Sequence, residues 1–115
     1  MTVKMFHNPR CSKSRQTLEL LRSRGIEPEI VEYLKTPPSV EELDQILALL
    51  NMDPHDLMRK KENTYKTLNL GESSLTREGL IQAMVDNPIL IERPIVVADD
   101  RAAVGRPPEN VLTIV

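Results

Sequence analysis

The sequence predicts a single α/β domain spanning residues 1–115, with a mixed β-sheet at its centre. Three observations support this prediction: a strand–helix–strand pattern at the N-terminus, a helical middle, and two strands joined by a tight turn near the C-terminus. A strand–helix–strand unit makes its strands parallel with a right-handed crossover, whereas a tight turn joins antiparallel strands. A chain of 115 residues is long enough to bury one hydrophobic core.

The N-terminal unit begins with a short apolar strand at residues 3–6. A helix over residues 12–24 follows, in which leucines recur at helical spacing, and Gly25 supplies its stop. Residues 29–33 have the composition of a second strand. These two strands are therefore expected to pair in parallel.

The helical middle is predicted as an insertion over about residues 39–88. Its helices have start signals at Ser39, Asp53 and Thr76. The first of these signals is a capping box, a serine followed three residues later by a glutamate. The polar residues 60–74 are predicted as a loop anchored by Leu68 and Leu70. The middle of the chain is thus expected to supply helices to the fold.

The C-terminal part contains two predicted strands, at residues 95–98 and 102–105, joined at residues 99–101. A short final helix is expected to open at Pro107. Taken with the parallel pair and the helical insertion, this order of elements is compatible with a thioredoxin-like fold.

Charge and composition argue against several function classes. The formal net charge is −2, whereas proteins that bind a phosphate backbone carry a basic surplus, so no nucleic-acid partner is expected. Neither a signal peptide nor an apolar run of membrane length is visible. The lone cysteine rules out an internal disulfide and is typical of a reducing compartment, so we expect a cytoplasmic protein. The histidines and the cysteine match no metal-ligand pattern.

The only cysteine, Cys11, lies in a basic loop with the sequence His7-Asn-Pro-Arg-Cys-Ser-Lys-Ser-Arg15. The first strand gives way to the first helix here, so the thiol is expected at a helix N-terminus. The free N–H groups and the helix dipole favour an anion there, and they also lower the pKa of a thiol. Cys11 is therefore predicted to be a thiolate nucleophile that attacks or holds a small oxyanion.

The residues alone leave other interpretations of the loop open. A single cysteine can be a small buried hydrophobe without catalytic function. His7 can be a structural hydrogen-bonding group, and Lys13 and Arg15 can be solvated surface charges. A phosphatase loop is disfavoured, because five residues separate its cysteine from its arginine. Only three residues separate Cys11 from Arg15, too few to wrap a phosphate in the same way.

Four further segments make the chain recognisable: Tyr33-Leu-Lys-Thr-Pro-Pro-Ser39, Leu57-Met-Arg-Lys60, Asn87-Pro-Ile-Leu-Ile-Glu-Arg-Pro-Ile-Val-Val97 and Gly105-Arg-Pro-Pro-Glu109. Together with the cysteine loop they resemble, in order and over nearly the whole chain, the ArsC family of glutaredoxin-linked arsenate reductases. The loop has Cys-Ser-Lys-Ser where many members have Cys-Gly-Thr-Ser. The chain also lacks the longer C-terminal tail of the plasmid-type enzymes, so it most resembles the shorter, often chromosomal branch.

The resemblance implies a thioredoxin-like fold and assigns roles around the thiol. Cys11 matches the nucleophile of the family, and His7 and Ser14 match residues that help to activate the thiol. Pro94 matches the cis-proline that lies beside the active cysteine in thioredoxin-like proteins.

The resemblance also assigns the residues that bind the oxyanion. Three arginines match the triad of the family, at positions Arg59, Arg93 and Arg106. Planar guanidinium groups bind the oxygens of a doubly charged arsenate bidentately. Lys13 and Arg15 are expected to add positive charge to the same site.

The reaction implied by the resemblance is reduction of arsenate to arsenite, an activity of arsenic resistance. The reaction needs two electrons, which two thiols can supply, and this chain has one cysteine. Glutathione is therefore the expected external thiol co-substrate, with no bound cofactor, and glutaredoxin is expected to clear the mixed disulfide. We expect the protein to act as a monomer without a membrane partner.

Two alternatives from other function classes stay open. Spx-type regulators share the fold and bind RNA polymerase, but many of them have a second cysteine where this chain has Ser14. A glutathione-dependent thiol oxidoreductase with another substrate would use the same Cys11 loop. The sequence does not separate that second alternative from an arsenate reductase.

Overall fold

The computed structural model describes residues 2–72 and 75–115. The strands of its sheet are Val3–Phe6 (β1), Glu29–Val31 (β2), Ile95–Ala98 (β3) and Arg101–Val104 (β4). Their order is β2-β1-β3-β4; β1 pairs in parallel with β2, and the other two pairings are antiparallel. The predicted mixed α/β sheet is confirmed, and the arrangement is thioredoxin-like.

The α-helices of the described residues are Ser12–Ser23 (α1), Val40–Leu50 (α2), Asn63–Thr67 (α3) and Arg77–Asp86 (α4). Short 3-10 helices occur at Pro54–Leu57, Pro88–Leu90 and Pro108–Thr113. Each of these three begins at a proline, because the fixed φ and missing N–H of proline suit the first position of a helix.

The chain divides into two compact units. The first consists of Met1–Thr36 and Arg93–Val115, and it contains the sheet, α1 and the last 3-10 helix. The second is Pro37–Glu92, and it contains the other helices. That the whole chain is one domain with an insertion at residues 39–88 stays a prediction.

The core of the first unit forms where α1 packs on the sheet. Its buried members are Val3, Met5, Leu21, Val96, Ala98 and Val111. Alternate residues of β1 and of β3 take part, because successive side chains of a strand point to opposite faces. The crossover between the parallel strands turns at Gly25, whose φ of 75° lies in the left-handed region that favours glycine. This packing fixes the N-terminus of α1 at the end of β1.

The second unit is built on two capped helices. Ser39 Oγ and Thr76 Oγ1 each accept a hydrogen bond, at 3.1 Å, from the backbone N–H three residues further on. Both predicted N-caps are therefore confirmed. The helices α2 and α4 pack against each other, and an ion pair of 2.9 Å joins Asp44 to Arg77.

The strand β2 is shorter than predicted, since it ends at Val31 instead of residue 33. The backbone N–H groups of Lys35 and Thr36 both donate to the carbonyl of Glu32 at 2.9 Å, so the chain turns there. At the hairpin, β4 begins one residue earlier than predicted, at Arg101.

The loop predicted at residues 60–74 is wrong in part, because it contains the five-residue helix α3. Polar residues without apolar periodicity gave no sign of this helix. Leu70 is 4% exposed and anchors the segment as predicted, whereas Leu68 is 45% exposed and does not. Residues 73 and 74 of the predicted loop lie outside the described residues.

Candidate active site

A tight turn delivers Cys11 to the start of α1. The backbone N–H of Cys11 donates to the carbonyl of Asn8 at 3.0 Å, and the N–H of Arg10 donates to Asn8 Oδ1 at 3.0 Å. Arg15 Nη1 donates to the carbonyl of Pro9 at 2.9 Å, which fastens the turn to the helix. Cys11 is the N-cap of α1, with extended backbone angles of φ −93° and ψ 124°. The predicted position at a helix N-terminus is thus what the structure shows.

The environment of the Cys11 sulfur favours the thiolate. Burial raises the pKa of the thiol, but several contacts act in the opposite direction: a hydrogen bond from the Ser14 backbone N–H, the charge of Arg93, and hydrogen bonds from the Lys13 N–H and the Arg93 guanidinium. The net effect lowers the pKa of Cys11 below its ordinary value. Helix N–H groups and a guanidinium therefore overcome the cost of burying the sulfur.

A buried pair of polar side chains supports the first turn of α1. His7 Nδ1 lies 2.6 Å from Ser14 Oγ, and the Asn8 backbone N–H donates to the same oxygen at 3.0 Å. His7 is 7% exposed and Ser14 is fully buried. These bonds hold Ser14 in place, and its own N–H is a donor to the Cys11 sulfur.

The imidazole of His7 is kept neutral by its surroundings. Burial lowers the pKa of His7 most; the charge of Glu32 raises it, and the charges of Arg22 and Arg15 lower it further. The net pKa lies below the ordinary value of 6.5. At neutral pH the ring therefore binds Ser14 as an uncharged hydrogen-bonding group.

Gly105 allows the start of β3 and the end of β4 to approach α1 closely. A Cβ at Gly105 would lie 2.5 Å from Thr17 Oγ1 and 2.8 Å from Pro94 Cγ, so no larger residue fits without a shift. The Gly105 N–H donates to the carbonyl of Pro94 at 2.9 Å, and Arg106 Nη1 donates to the carbonyl of Arg93 at 3.4 Å. The Arg93–Pro94 bond is cis. This junction brings Arg93 to Cys11 and Arg106 to Arg93.

The first unit thus brings together Cys11, His7, Ser14 and Arg93, with Arg106 beside Arg93. The other two candidates of this unit, Lys13 and Arg15, lie on the first turn of α1. Lys13 is half-buried and gives its backbone N–H to the sulfur, whereas Arg15 is exposed and donates to the carbonyl of Pro9. A role for these two side chains in oxyanion binding stays a prediction.

Arg59 belongs to the second unit. Its guanidinium forms an ion pair of 2.9 Å with Glu62, and Nη1 donates to the carbonyl of Ile89 at 3.4 Å. The backbone N–H of Arg59 donates to the carbonyl of Leu90 at 2.7 Å. Its assignment to the oxyanion site stays a prediction.

Three further residues shape the site, although sequence reasoning gave none of them a role in it. Asn8 fixes the turn through its side chain and its backbone, and the Asn-Pro pair was a visible signal for such a turn. Thr17 is fully buried, and its hydroxyl donates to the carbonyl of Lys13 at 2.8 Å. The close approach at Gly105 had no signal in the sequence, because it depends on residues of two other elements.

Residues 2–72 and 75–115 contain neither a cluster of metal ligands nor a helix of membrane-spanning character. No group of three or more His, Cys, Asp or Glu side chains could hold a metal ion. None of the helices found in these ranges has the length and apolar character needed to cross a membrane.

The model of the ArsC family matches residues 6–114. Uncharacterized protein YfgD from Escherichia coli (strain K12) is 60% identical over 114 residues, which cover 98% of this chain and 96% of that one. An arsenate reductase from Neisseria meningitidis serogroup B (strain MC58) is 50% identical over 110 residues, which cover 95% of this chain and 94% of that one.

Among solved structures, the arsenate reductase from Vibrio cholerae superposes with a TM-score of 0.97 at 52% sequence identity. The match covers 100% of this chain and 98% of that one. The sequence similarity therefore extends over nearly the whole chain, and the fold similarity over all of it.

Proposed function

The chain belongs to the ArsC family, and on this premise we propose that it is an arsenate reductase with Cys11 as its nucleophile and glutathione and glutaredoxin as external thiols. The observation that carries the proposal is the position of Cys11, at the N-terminus of α1 and beside the Arg93 guanidinium. We propose arsenate as the substrate because the relatives from Neisseria meningitidis and Vibrio cholerae are named arsenate reductases.

In the first step the Cys11 thiolate attacks the arsenic atom of arsenate. A sulfur–arsenic bond forms, one arsenic–oxygen bond breaks, and that oxygen leaves as water after taking up protons from solvent. Arsenic stays at oxidation state +5. A nucleophile held as a thiolate by fixed N–H groups and a guanidinium needs no separate base for this step.

The oxyanion needs positive charge on its oxygens while the bond to sulfur forms. We assign this task to the guanidinium groups of Arg59, Arg93 and Arg106, with Lys13 and Arg15 adding to the local positive charge. Arg93 and Arg106 lie at one junction with Cys11, which supports their assignment. Fixed cationic donors of this kind stabilise the charge that develops in the transition state.

In the second step a glutathione thiolate attacks the Cys11 sulfur. A disulfide bond forms and the sulfur–arsenic bond breaks; its electron pair stays on arsenic, which leaves as arsenite at oxidation state +3. Each of the two sulfurs has lost one electron. The single cysteine of this chain supports the need for an external thiol.

Glutaredoxin then regenerates the enzyme by thiol–disulfide exchange. Its thiolate attacks the glutathionyl sulfur, takes the glutathione as a new mixed disulfide, and releases the Cys11 thiolate. We propose that the reaction takes place in the cytoplasm, where thiols are kept reduced, and that a single copy of the chain is the active species.

The test is a reconstituted assay with purified protein, arsenate, glutathione, a glutaredoxin, glutathione reductase and NADPH. We expect arsenite to form only when the protein, glutathione and glutaredoxin are all present, because each supplies one step of the cycle. Arsenite is measured directly by chromatography, and NADPH oxidation is followed in parallel.

Three outcomes would contradict the proposal in different ways. Arsenite formation without glutathione would overturn the proposal that glutathione is the external thiol. Turnover of glutathionylated substrates without arsenite would favour a thiol oxidoreductase of another substrate. A chain that forms no arsenite but retains RNA polymerase in a pull-down would be an Spx-like binding protein.

A further inference from the structure

We propose that a cavity beside the Cys11 turn is a binding site for glutathione, with charged side chains that recognise both ends of the tripeptide. This inference rests on the proposed function, because it supplies the place from which the second thiol attacks. The cavity lies wholly in the first unit and has a volume of about 310 Å³. Its walls are residues 7–10, Glu32, Leu34 and Lys35. A cavity of this size falls at the lower end of the range for small-molecule sites.

The cavity is next to the reacting sulfur along the chain. Four consecutive wall residues, 7–10, run directly into Cys11, and the hydrogen bond from the Cys11 N–H to Asn8 folds this stretch into a tight turn. Because consecutive Cα atoms are about 3.8 Å apart, the Cα atom of Cys11 lies that close to the Cα atom of the wall residue Arg10. A tripeptide in the cavity would therefore lie against the turn that ends at Cys11, and we place its central thiol on the Cys11 side of that turn.

Two residues of the cavity wall have the charges that a free amino acid end requires. The γ-glutamyl end of glutathione bears an ammonium and a carboxylate on one carbon, so its receptor needs an anion and a cation close together. Glu32 Oε1 and Lys35 Nζ are 3.7 Å apart. Their side chains are 44% and 79% exposed, and such an exposed pair is worth little by itself and is free to regroup around a ligand.

Arg10 supplies the second cation of the cavity, and it matches the glycine carboxylate at the other end of glutathione. A guanidinium binds a carboxylate with two parallel hydrogen bonds. The walls also include the apolar residues Pro9 and Leu34. The cavity thus offers two cations and one anion to a ligand that carries two carboxylates and one ammonium.

The charge pattern favours glutathione over an inorganic oxyanion as the occupant. The Glu32 carboxylate would repel arsenate or phosphate, whereas it attracts an ammonium group. The cations of the cavity, Arg10 and Lys35, are also different residues from the guanidinium groups assigned to arsenate. The molecule therefore has separate positions for the oxyanion and for the thiol.

The test uses glutathione disulfide, so that it does not depend on arsenate. The Cys11 thiolate attacks one sulfur of the disulfide, forms the Cys11–glutathione mixed disulfide and releases one glutathione thiolate; the rate is followed by mass spectrometry. Wild type, Arg10→Gln and the matched control Arg101→Gln are each given glutathione disulfide and its diester at the glycine carboxylates. Arg101 is exposed at the start of β4 and lies outside the cavity.

We expect wild type and Arg101→Gln to react about fivefold faster with glutathione disulfide than with the ester, as expected for one partly exposed ion pair. Arg10→Gln should react with both at the slower rate, because the group that distinguishes them is missing. Lys35→Gln should lower the rate of reaction with both compounds by the same factor, so the ratio of the two rates should stay unchanged. Circular dichroism confirms that each variant is folded.

Equal rates of wild type with the two compounds, or an unchanged preference in Arg10→Gln, would overturn the glutathione site. Neither result bears on arsenate reduction, which the reconstituted assay measures separately. A protein that reduces no arsenate but keeps the Arg10-dependent preference would refute the proposed function and leave the glutathione site standing.

Discussion

Replacing Cys11 by serine is expected to abolish arsenate reduction. The serine hydroxyl has nearly the size of the thiol, but it is not ionised at neutral pH and cannot transfer an electron to arsenic. The rate of arsenite formation in the reconstituted assay should fall by on the order of 10³-fold or more, to the background of glutathione alone. The free energy of unfolding should fall by only about 1 kcal/mol, the typical effect of a single substitution, because serine keeps nearly the size of the buried thiol.

Cys11→Ala serves as the companion variant, since it removes the side-chain hydroxyl as well. Equal loss of activity in both variants would assign the effect to the missing sulfur. Arsenite formation by Cys11→Ser at the rate of wild type would refute the nucleophilic role of Cys11, and with it the reaction sequence proposed above.

The second large effect is expected at Arg93. Its guanidinium is both a charge and a hydrogen-bond donor near the Cys11 sulfur. Arg93→Gln removes the charge, so the pKa of Cys11 should rise and the fraction of thiolate at neutral pH should fall. Loss of the oxyanion contact acts in the same direction, and kcat/KM for arsenate should drop by about 10²-fold.

Two further variants separate these effects from damage to the fold. Arg93→Lys keeps the charge but not the planar fork, so its activity should lie between those of wild type and Arg93→Gln. Arg101→Gln controls for the loss of one positive charge elsewhere. The contact from Arg106 should survive in all of them, because Arg106 binds the backbone carbonyl of Arg93. An Arg93→Gln variant with unchanged kcat/KM would contradict the assignment.

The fold was predictable where local signals agree. The bounds of β1 and β3 and the N-caps Ser39 and Thr76 were found from apolar runs and capping residues alone. The predictions are wrong where tertiary contacts determine the structure. The helix α3 has no apolar periodicity, and Leu68 is exposed although Leu70, two residues later, is buried.

The same distinction between local signals and tertiary contacts applies to the candidate site. The helix N-terminus at Cys11 follows from the order of strand and helix, so a reactive thiol could be inferred from local sequence. Arg93 lies 82 residues further along the chain, and only its resemblance to a family motif suggested a role. Its approach to the sulfur depends on the junction at Gly105, where β4 ends against α1. Such long-range packing leaves no periodic pattern in a single sequence.

The thiolate state of Cys11 is tested most directly by the rate at which iodoacetamide alkylates this cysteine as a function of pH, with glutathione as the reference thiol. The alkylation rate follows the thiolate fraction, so a lowered pKa moves the plateau to lower pH. We predict a midpoint below that of an ordinary cysteine, whose pKa is about 8.5, and an upward shift in Arg93→Gln. A midpoint at or above that of glutathione in the same buffers would contradict the central claim that the fold holds this sulfur as a thiolate.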